Sequence, residues 1–246
     1  MDEETGCALG RIEHLLRYVY WKSGCTGFVV GISGGIDSAV AATMCCRAVG
    51  PERVLGLVLP SSVTAPDDIE DAREVCRRLG MECRTISIEP VLSAYRAMPG
   101  FRDDPFLTGN LMARCRMAVL YYHANRERRL VCGTSNRTEY LIGYCTKWGD
   151  NAADVQPLLH LYKTEVYAMA GTMENIPQRV LSKAPTAGLW RGQTDEGEIG
   201  LSYPEIDAAL KALEENRWES QNPVEEKVLA LVRASEHKRL PAPSLL

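Results

Sequence analysis

The chain has no run of about 18 apolar residues, the length a helix needs to cross a bilayer, so no membrane span is expected. It has no Cys-x-x-Cys pair. Its nine cysteines (Cys7, Cys25, Cys45, Cys46, Cys76, Cys83, Cys115, Cys132 and Cys145) are scattered through apolar runs. An odd, dispersed set reads as reduced thiols packed in a core, which fits a cytoplasmic protein. There is no strong charge of either sign: 28 Lys and Arg face 32 Asp and Glu, for a net charge of -4. That balance gives no global attraction to nucleic acid. The run Arg126-Glu127-Arg128-Arg129 is read as a solvated helix end. The first residues are acidic, then amphipathic, and no apolar core of a secretory signal is seen there. No internal repeat or low-complexity tract occurs.

What the chain does have is a hydrophobic content of 46%, ample for a core. Its 246 residues are read as one large domain. Residues 1–26 form an N-terminal helix, with Ile12, Leu15, Leu16 and Val19 at helical spacing. Residues 27–183 are read as an α/β core, 184–204 as a mobile loop able to act as a lid, and 205–246 as a C-terminal helical segment. Strands are predicted at 28–32, 54–59, 83–88 and 129–132, each short and apolar as fully buried parallel strands are. Helices are predicted at 66–79, 108–125, 203–215 and 223–237. The first of these starts with Pro66, Asp67 and Asp68, ends with Arg77 and Arg78, and is stopped by Gly80. Strands alternating with helices predict a parallel twisted sheet with helices on both faces. Ligands of such sheets bind beyond the carboxyl ends of the strands, where the loops at 33–38, 60–64 and 133–139 emerge.

The stretch Gly31-Ile32-Ser33-Gly34-Gly35-Ile36-Asp37-Ser38 joins the first strand to a helix. A strand, a glycine turn and a helix N-terminus make an anion site, with backbone N–H groups facing outward. Asp37 repels phosphate, so its sensible role is to hold a bridging cation. A Walker A loop is excluded, because no lysine lies between Lys22 and Lys147. A dinucleotide fingerprint is excluded too, because Ser38 stands where the third glycine is needed. A rival reading takes residues 31–35 as a G-x-S-x-G nucleophile elbow around Ser33, with His160 or His237 as the base. It explains neither Asp37 nor Ser38.

The loop resembles the SGGxDS pyrophosphate loop of the N-type ATP pyrophosphatases. Further blocks narrow the likeness: Asn110 to Met117 around Arg114 and Arg116, Gly133 to Glu139, Thr146 to Asp150, Ala153-Asp154, Leu161 to Thr164, Ala184 to Trp190, and Glu236 to Arg239. In this order they resemble the ammonia-dependent NAD synthetases, most closely the archaeal form, from about residue 10 to residue 240. The absence of paired cysteines weighs against the tRNA-thiolating branch of the superfamily.

The resemblance implies an adenine nucleotide alpha hydrolase-like fold. It also implies synthesis of NAD from nicotinic acid adenine dinucleotide (deamido-NAD), ATP and ammonia through an acyl-adenylate, with AMP and pyrophosphate released. By that likeness Gly31, Ile32, Ser33, Gly34, Gly35, Ile36, Asp37, Ser38, Thr134, Lys163 and Thr186 would meet ATP. Asp37 and Glu139 would hold Mg²⁺, and Asp37 and Lys163 would be catalytic. Arg114, Lys147, Asp154, His237 and Lys238 would meet deamido-NAD across a homodimer interface to which the 108–125 helix contributes.

The residues alone leave alternatives open. Glu139 also reads as an ordinary first-turn acid, Thr134 as a cap, and His237 and Lys238 as a favourable helix end. Arg114 and Arg116 are two apart on a helix and point to nearly opposite faces, so only one can face the substrate. Leu111, Cys115, Val119 and Tyr122 form an apolar face that suits either an interface or a core. Bacterial members carry Asp-His where Ser135-Asn136 stand, and an aspartate-rich segment where residues 188–196 stand. Asp195 and Glu196 are candidates for closing over the acyl-adenylate. No glutaminase domain is evident, so free ammonia is the expected donor, with a separate ammonia-supplying partner left open.

Overall fold

The computed structural model describes residues 3–190 and 192–245. In chain order the elements are α1 (Glu3–Ser23), β1 (Phe28–Gly31), α2 (Ile36–Val49), β2 (Val54–Val58), α3 (Pro66–Leu79), β3 (Glu82–Thr85), α4 (Glu89–Arg96) and α5 (Pro105–Glu127). Then come β4 (Leu130–Cys132), α6 (Arg137–Ile142), α7 (Lys163–Ala170), α8 (Gln178–Ser182), α9 (Asp195–Ile199), α10 (Tyr203–Glu215), α11 (Pro223–Ala234) and α12 (Glu236–Arg239). Among the described residues, no helix is long and apolar enough to cross a membrane.

The strands form one parallel sheet in the order β3-β2-β1-β4. Successive side chains of a strand point to opposite faces. Accordingly Phe28 and Val30 of β1 join a core with α1, α2, α3 and α7, while Val29 joins Leu55 and Leu57 in a second core with α4 and α5. Helices therefore cover both faces, as predicted. A third cluster, built on Ile206, Leu210, Leu213 and Val228, belongs to the C-terminal helices and takes in Ile142 and Tyr162.

The chain moves outward from β1 through β2 to β3, then returns to place β4 on the other side of β1. This reversal opens a crevice at the carboxyl ends of β1 and β4, the place where open α/β sheets bind ligands. The turns leaving β1 and β4 are the 31–38 loop and the 133–136 segment.

Several local expectations need correction. β3 is an edge strand, half-buried and exposed, and it ends at Thr85 rather than residue 88. Beyond it Ile86 and Ile88 still donate their backbone N–H groups to Val58 and Pro60. Leu15 is 38% exposed; the buried stripe of α1 runs through Leu9, Ile12 and Leu16, and Leu15 lies a 100° step away from Leu16. On α5 the apolar face left open between interface and core divides: Leu111, Cys115 and Val119 pack into the core, and Tyr122 is 63% exposed where the packed face near the helix end passes to His123 and Ala124. Residues 184–204 are not all loop, since they hold α9 and the start of α10. The last predicted helix ends at Ala234, and α12 follows as a separate turn.

Candidate active site

A cavity of about 940 Å³ opens at the crevice. It is lined by the β1 loop, residues 57–60 and 62–69, the 133–135 segment, Glu139, Lys163 and residues 183–190 and 192–195. Its volume suits a nucleotide-sized ligand.

The β1 loop owes its shape to small residues. Gly34 has φ +83°, and a Cβ there would lie 2.4 Å from the backbone oxygen of Asp68. The loop is thus pressed against the start of α3. The Ser38 hydroxyl donates to the Gly35 carbonyl at 2.9 Å and accepts from Ser33 N at 3.2 Å, closing the turn. Gly35 stands at the N-cap of α2 with no side chain capping it. The first-turn N–H groups of a helix have no intrahelical partners and face an anion favourably. Gly34→Ala combines backbone strain with collision against a fixed carbonyl. It is expected to lower stability by about 1–3 kcal/mol, read as a shift of the urea midpoint. An unchanged midpoint would show that the loop yields freely.

At the mouth of the loop lies a charge triad. Lys163, the first residue of α7, is 2% exposed. Its Nζ donates to Asp37 Oδ2 at 2.6 Å and to Glu139 Oε1 at 2.9 Å. Burial works to lower its pKa, yet Asp37 and Glu139 outweigh burial and raise it. The Tyr203 ring centroid lies 5.0 Å from the same ammonium. Asn136 is fully buried; its side-chain oxygen accepts from Glu139 N at 2.9 Å, so it caps α6. Its amide nitrogen donates to Asp37 Oδ1 at 2.9 Å. One asparagine therefore ties the Asp37 carboxylate to the first turn of α6, on which Glu139 stands. The cap of α6 is Asn136, not Thr134.

Burial pushes Glu139 up to about 7, against the pull of Lys163. The folded chain thus holds an extra proton between the unfolded value near 4.5 and about 7. The stabilisation this gives is full below the lower value and is lost as pH rises through the upper one. Without nucleotide and magnesium, the melting temperature is expected to fall between about pH 5 and 8 more steeply than in Glu139→Gln. Parallel slopes would assign the dependence to other groups.

The expected ATP residues converge on this cavity: Gly31, Ile32, Ser33, Gly35, Ile36, Asp37, Ser38, Thr134, Lys163 and Thr186 all line it, with Glu139 beside them. Gly34 lies behind the lining, against Asp68. The expected deamido-NAD residues divide. Lys238 lines the cavity, its Nζ donating to the carbonyls of Gly143 at 2.7 Å and Cys145 at 2.8 Å. Arg114, Lys147 and His237 form a chain outside it: Arg114 Nη2 donates to the Lys147 carbonyl at 3.2 Å, and Lys147 Nζ to the His237 carbonyl. Asp154 Oδ2 accepts from Val131 N at 2.7 Å and Oδ1 from the Tyr121 hydroxyl at 3.3 Å.

Of Arg114 and Arg116, Arg116 is the one that lines the cavity, its Nε donating to the Leu59 carbonyl at 3.1 Å. Asp195 is 3% exposed and lines the cavity, with Oδ2 accepting from the Tyr203 hydroxyl at 2.8 Å. Burial raises its pKa. Glu196 instead accepts from Tyr203 N at 2.9 Å. Arg191 lies outside the described residues. Neither His160 nor His237 lines the cavity that Ser33 faces, which removes the base from the hydrolase reading.

Sequence reasoning missed the parts of Asn136 and Tyr203, and it named Arg116 only as the alternative to Arg114. Only Asn136 carried a local signal: an asparagine three residues before a glutamate is a capping pattern.

The family model described as NAD synthase matches residues 8–242. A curated relative from Methanoregula boonei, named NH(3)-dependent NAD(+) synthetase, is 62% identical over 246 residues, covering 100% of this chain and 99% of the relative. The solved structure of NMN synthetase from Francisella tularensis is 37% identical with a TM-score of 0.90, covering 99% of each chain. An NH3-dependent NAD synthetase from Campylobacter jejuni, solved with nitrate, is 31% identical with a TM-score of 0.84, covering 100% of this chain and 99% of that one.

Proposed function

The chain belongs to the NAD synthase family, and from that premise we propose that it amidates deamido-NAD to NAD with ATP and free ammonia, the last step of NAD biosynthesis. The observation that carries this reading is the Lys163 ammonium held between Asp37 and Glu139 at the mouth of a glycine loop. The nicotinate carboxylate attacks the α-phosphorus of ATP and pyrophosphate leaves. Ammonia then attacks the acyl carbon, expelling AMP.

Each residue's part follows from charge. The 31–38 loop receives the β- and γ-phosphates on backbone N–H groups and the Ser33 and Ser38 hydroxyls. Lys163 offsets charge building on the α-phosphate, the preorganised electrostatic stabilisation this chemistry needs most. Thr134 and Thr186, both lining the cavity, contact ATP.

Asp37 and Glu139 are two oxygen donors on one cation, a set that fits Mg²⁺. Among the described residues no three acidic, histidine or cysteine side chains gather to hold a metal alone. Mg²⁺ is commonly held by one or two carboxylates plus substrate phosphates, so the pair is sufficient. When bound, the ion neutralises phosphate charge and strengthens the leaving group.

Arg114, Lys147, Asp154, His237 and Lys238 hold deamido-NAD. Four of these five stand outside the cavity lining, which supports a substrate site reaching over the protomer surface towards a second copy along α5. Exposed Phe106, Leu107 and Tyr122 on that helix support a homodimer there.

A mixture of protein, ATP, magnesium, deamido-NAD and ammonium is expected to form NAD and AMP in equal amounts. ADP in place of AMP would overturn the reading. The likeness to the Francisella enzyme favours a second reading, synthesis of the mononucleotide NMN rather than the dinucleotide. Offering the mononucleotide and dinucleotide acids together decides between them by which amide accumulates.

A further inference from the structure

We infer that Asp207 is a positioning residue that sets Lys163 for the reaction; the inference rests on the role of Lys163 proposed above. Asp207 lies on α10, outside the cavity, and is 2% exposed. A carboxylate taken out of water costs several kcal/mol unless it is well hydrogen-bonded. Here both oxygens are engaged. Oδ2 accepts from the backbone N of Thr164 at 2.8 Å, and Oδ1 accepts from the Thr138 hydroxyl. The Thr138 oxygen in turn accepts from the backbone N of Lys163 at 2.9 Å.

Lys163 and Thr164 open α7, so their N–H groups are among those a helix leaves without internal partners. Asp207 and Thr138 satisfy both. The negative charge sits at the positive end of the α7 dipole, where it is favourable. Asp207 is thus a cap supplied by a different helix.

The consequence reaches the active site because of which residues are tied. Thr138 is fully buried and stands next to Glu139 on α6. One carboxylate therefore joins the first turns of α6 and α7, the two turns that bring Glu139 and Lys163 together. α10 adds the Tyr203 ring beneath the same ammonium. Loss of the tie frees the first residue of α7 to shift, and a displacement of about 1 Å at a reacting centre costs on the order of 100-fold in rate.

The test is Asp207→Asn in the full chain, which keeps the volume but removes the charge and one acceptor. It is expected to lower kcat for NAD formation about 10- to 100-fold, with KM for ATP changed less than about threefold. Val228→Ala, in the core of the C-terminal helices, controls for general loosening and is expected to keep kcat within about twofold. Thr138→Ser and Thr138→Val test the link by a second route, even where Asp207→Asn does not fold. The serine retains the hydroxyl and is expected to behave as the parent, whereas the valine loses activity. The inference falls if Asp207→Asn keeps its kcat, if Val228→Ala loses as much, or if serine is as damaging as valine at 138. An active Lys163→Met protein overturns the role of Lys163 and this inference with it. An inactive one beside a fully active Asp207→Asn overturns this inference alone.

Discussion

Lys163→Met is expected to lower the rate of NAD formation by about 10²–10³-fold, the loss typical when one preorganised charge or donor is removed from a transition state. The methionine keeps much of the stem's length and apolar volume, so the lost quantity is the ammonium. Its removal also leaves Asp37 and Glu139 facing one another without the cation that separates them. Breaking a buried ion pair from one side typically costs about 3–5 kcal/mol. Here the cost is limited by Glu139, which burial already holds at about 7 and which takes a proton when Lys163 is gone. The destabilisation is therefore expected to be smaller near pH 6 than near pH 8. Rapid-quench assays and melting curves at the two pH values measure both effects. A variant that retains its rate removes Lys163 from the chemistry. A pH-independent loss of stability removes the coupling to Glu139.

Asp37→Asn is the second large effect, again about 10²–10³-fold in rate, but with a different stability signature. The side chain keeps its shape, and its remaining oxygen can still accept from Asn136. Lys163 retains Glu139 as a partner. The fold is therefore expected to hold its melting temperature, while activity falls because one of the two carboxylates proposed for Mg²⁺ has lost its charge. Raising magnesium is expected to recover part of the rate in Asp37→Asn and none in Lys163→Met. Equal recovery in both would mean that the two residues do not divide the work between cation binding and phosphate charge.

What the chain reveals as a sequence depends on how far apart the cooperating residues are. The 31–38 loop was legible because its strand, glycines and helix start are contiguous. So was α3, whose proline, first-turn acids and terminal Gly80 each act within one turn. The sheet order was not legible from any segment, since the return of the chain to place β4 beside β1 is a long-range event. Lys163 illustrates the same limit at the site: alone it reads as a surface lysine, and it becomes a buried hub only through Asp37, 126 residues earlier, and Glu139, 24 earlier. Arg116 lines the cavity while Arg114 lies outside it, and two residues two apart on one helix carry no signal for which face turns inward. Helical spacing placed Leu15 and Tyr122 on apolar stripes without saying which parts are covered, because the neighbouring elements decide that: both are exposed, Leu15 to 38% and Tyr122 to 63%. Asp207 gave no signal, because a carboxylate on an amphipathic helix is ordinarily a solvated one.

The most direct test of the central claim follows an oxygen atom. Deamido-NAD labelled with ¹⁸O in its nicotinate carboxylate is turned over once with ATP, magnesium and ammonium. Attack of the carboxylate on the α-phosphorus carries one labelled oxygen into AMP and leaves pyrophosphate unlabelled. Label in pyrophosphate, in free phosphate, or absent from AMP would contradict an acyl-adenylate formed at this cavity.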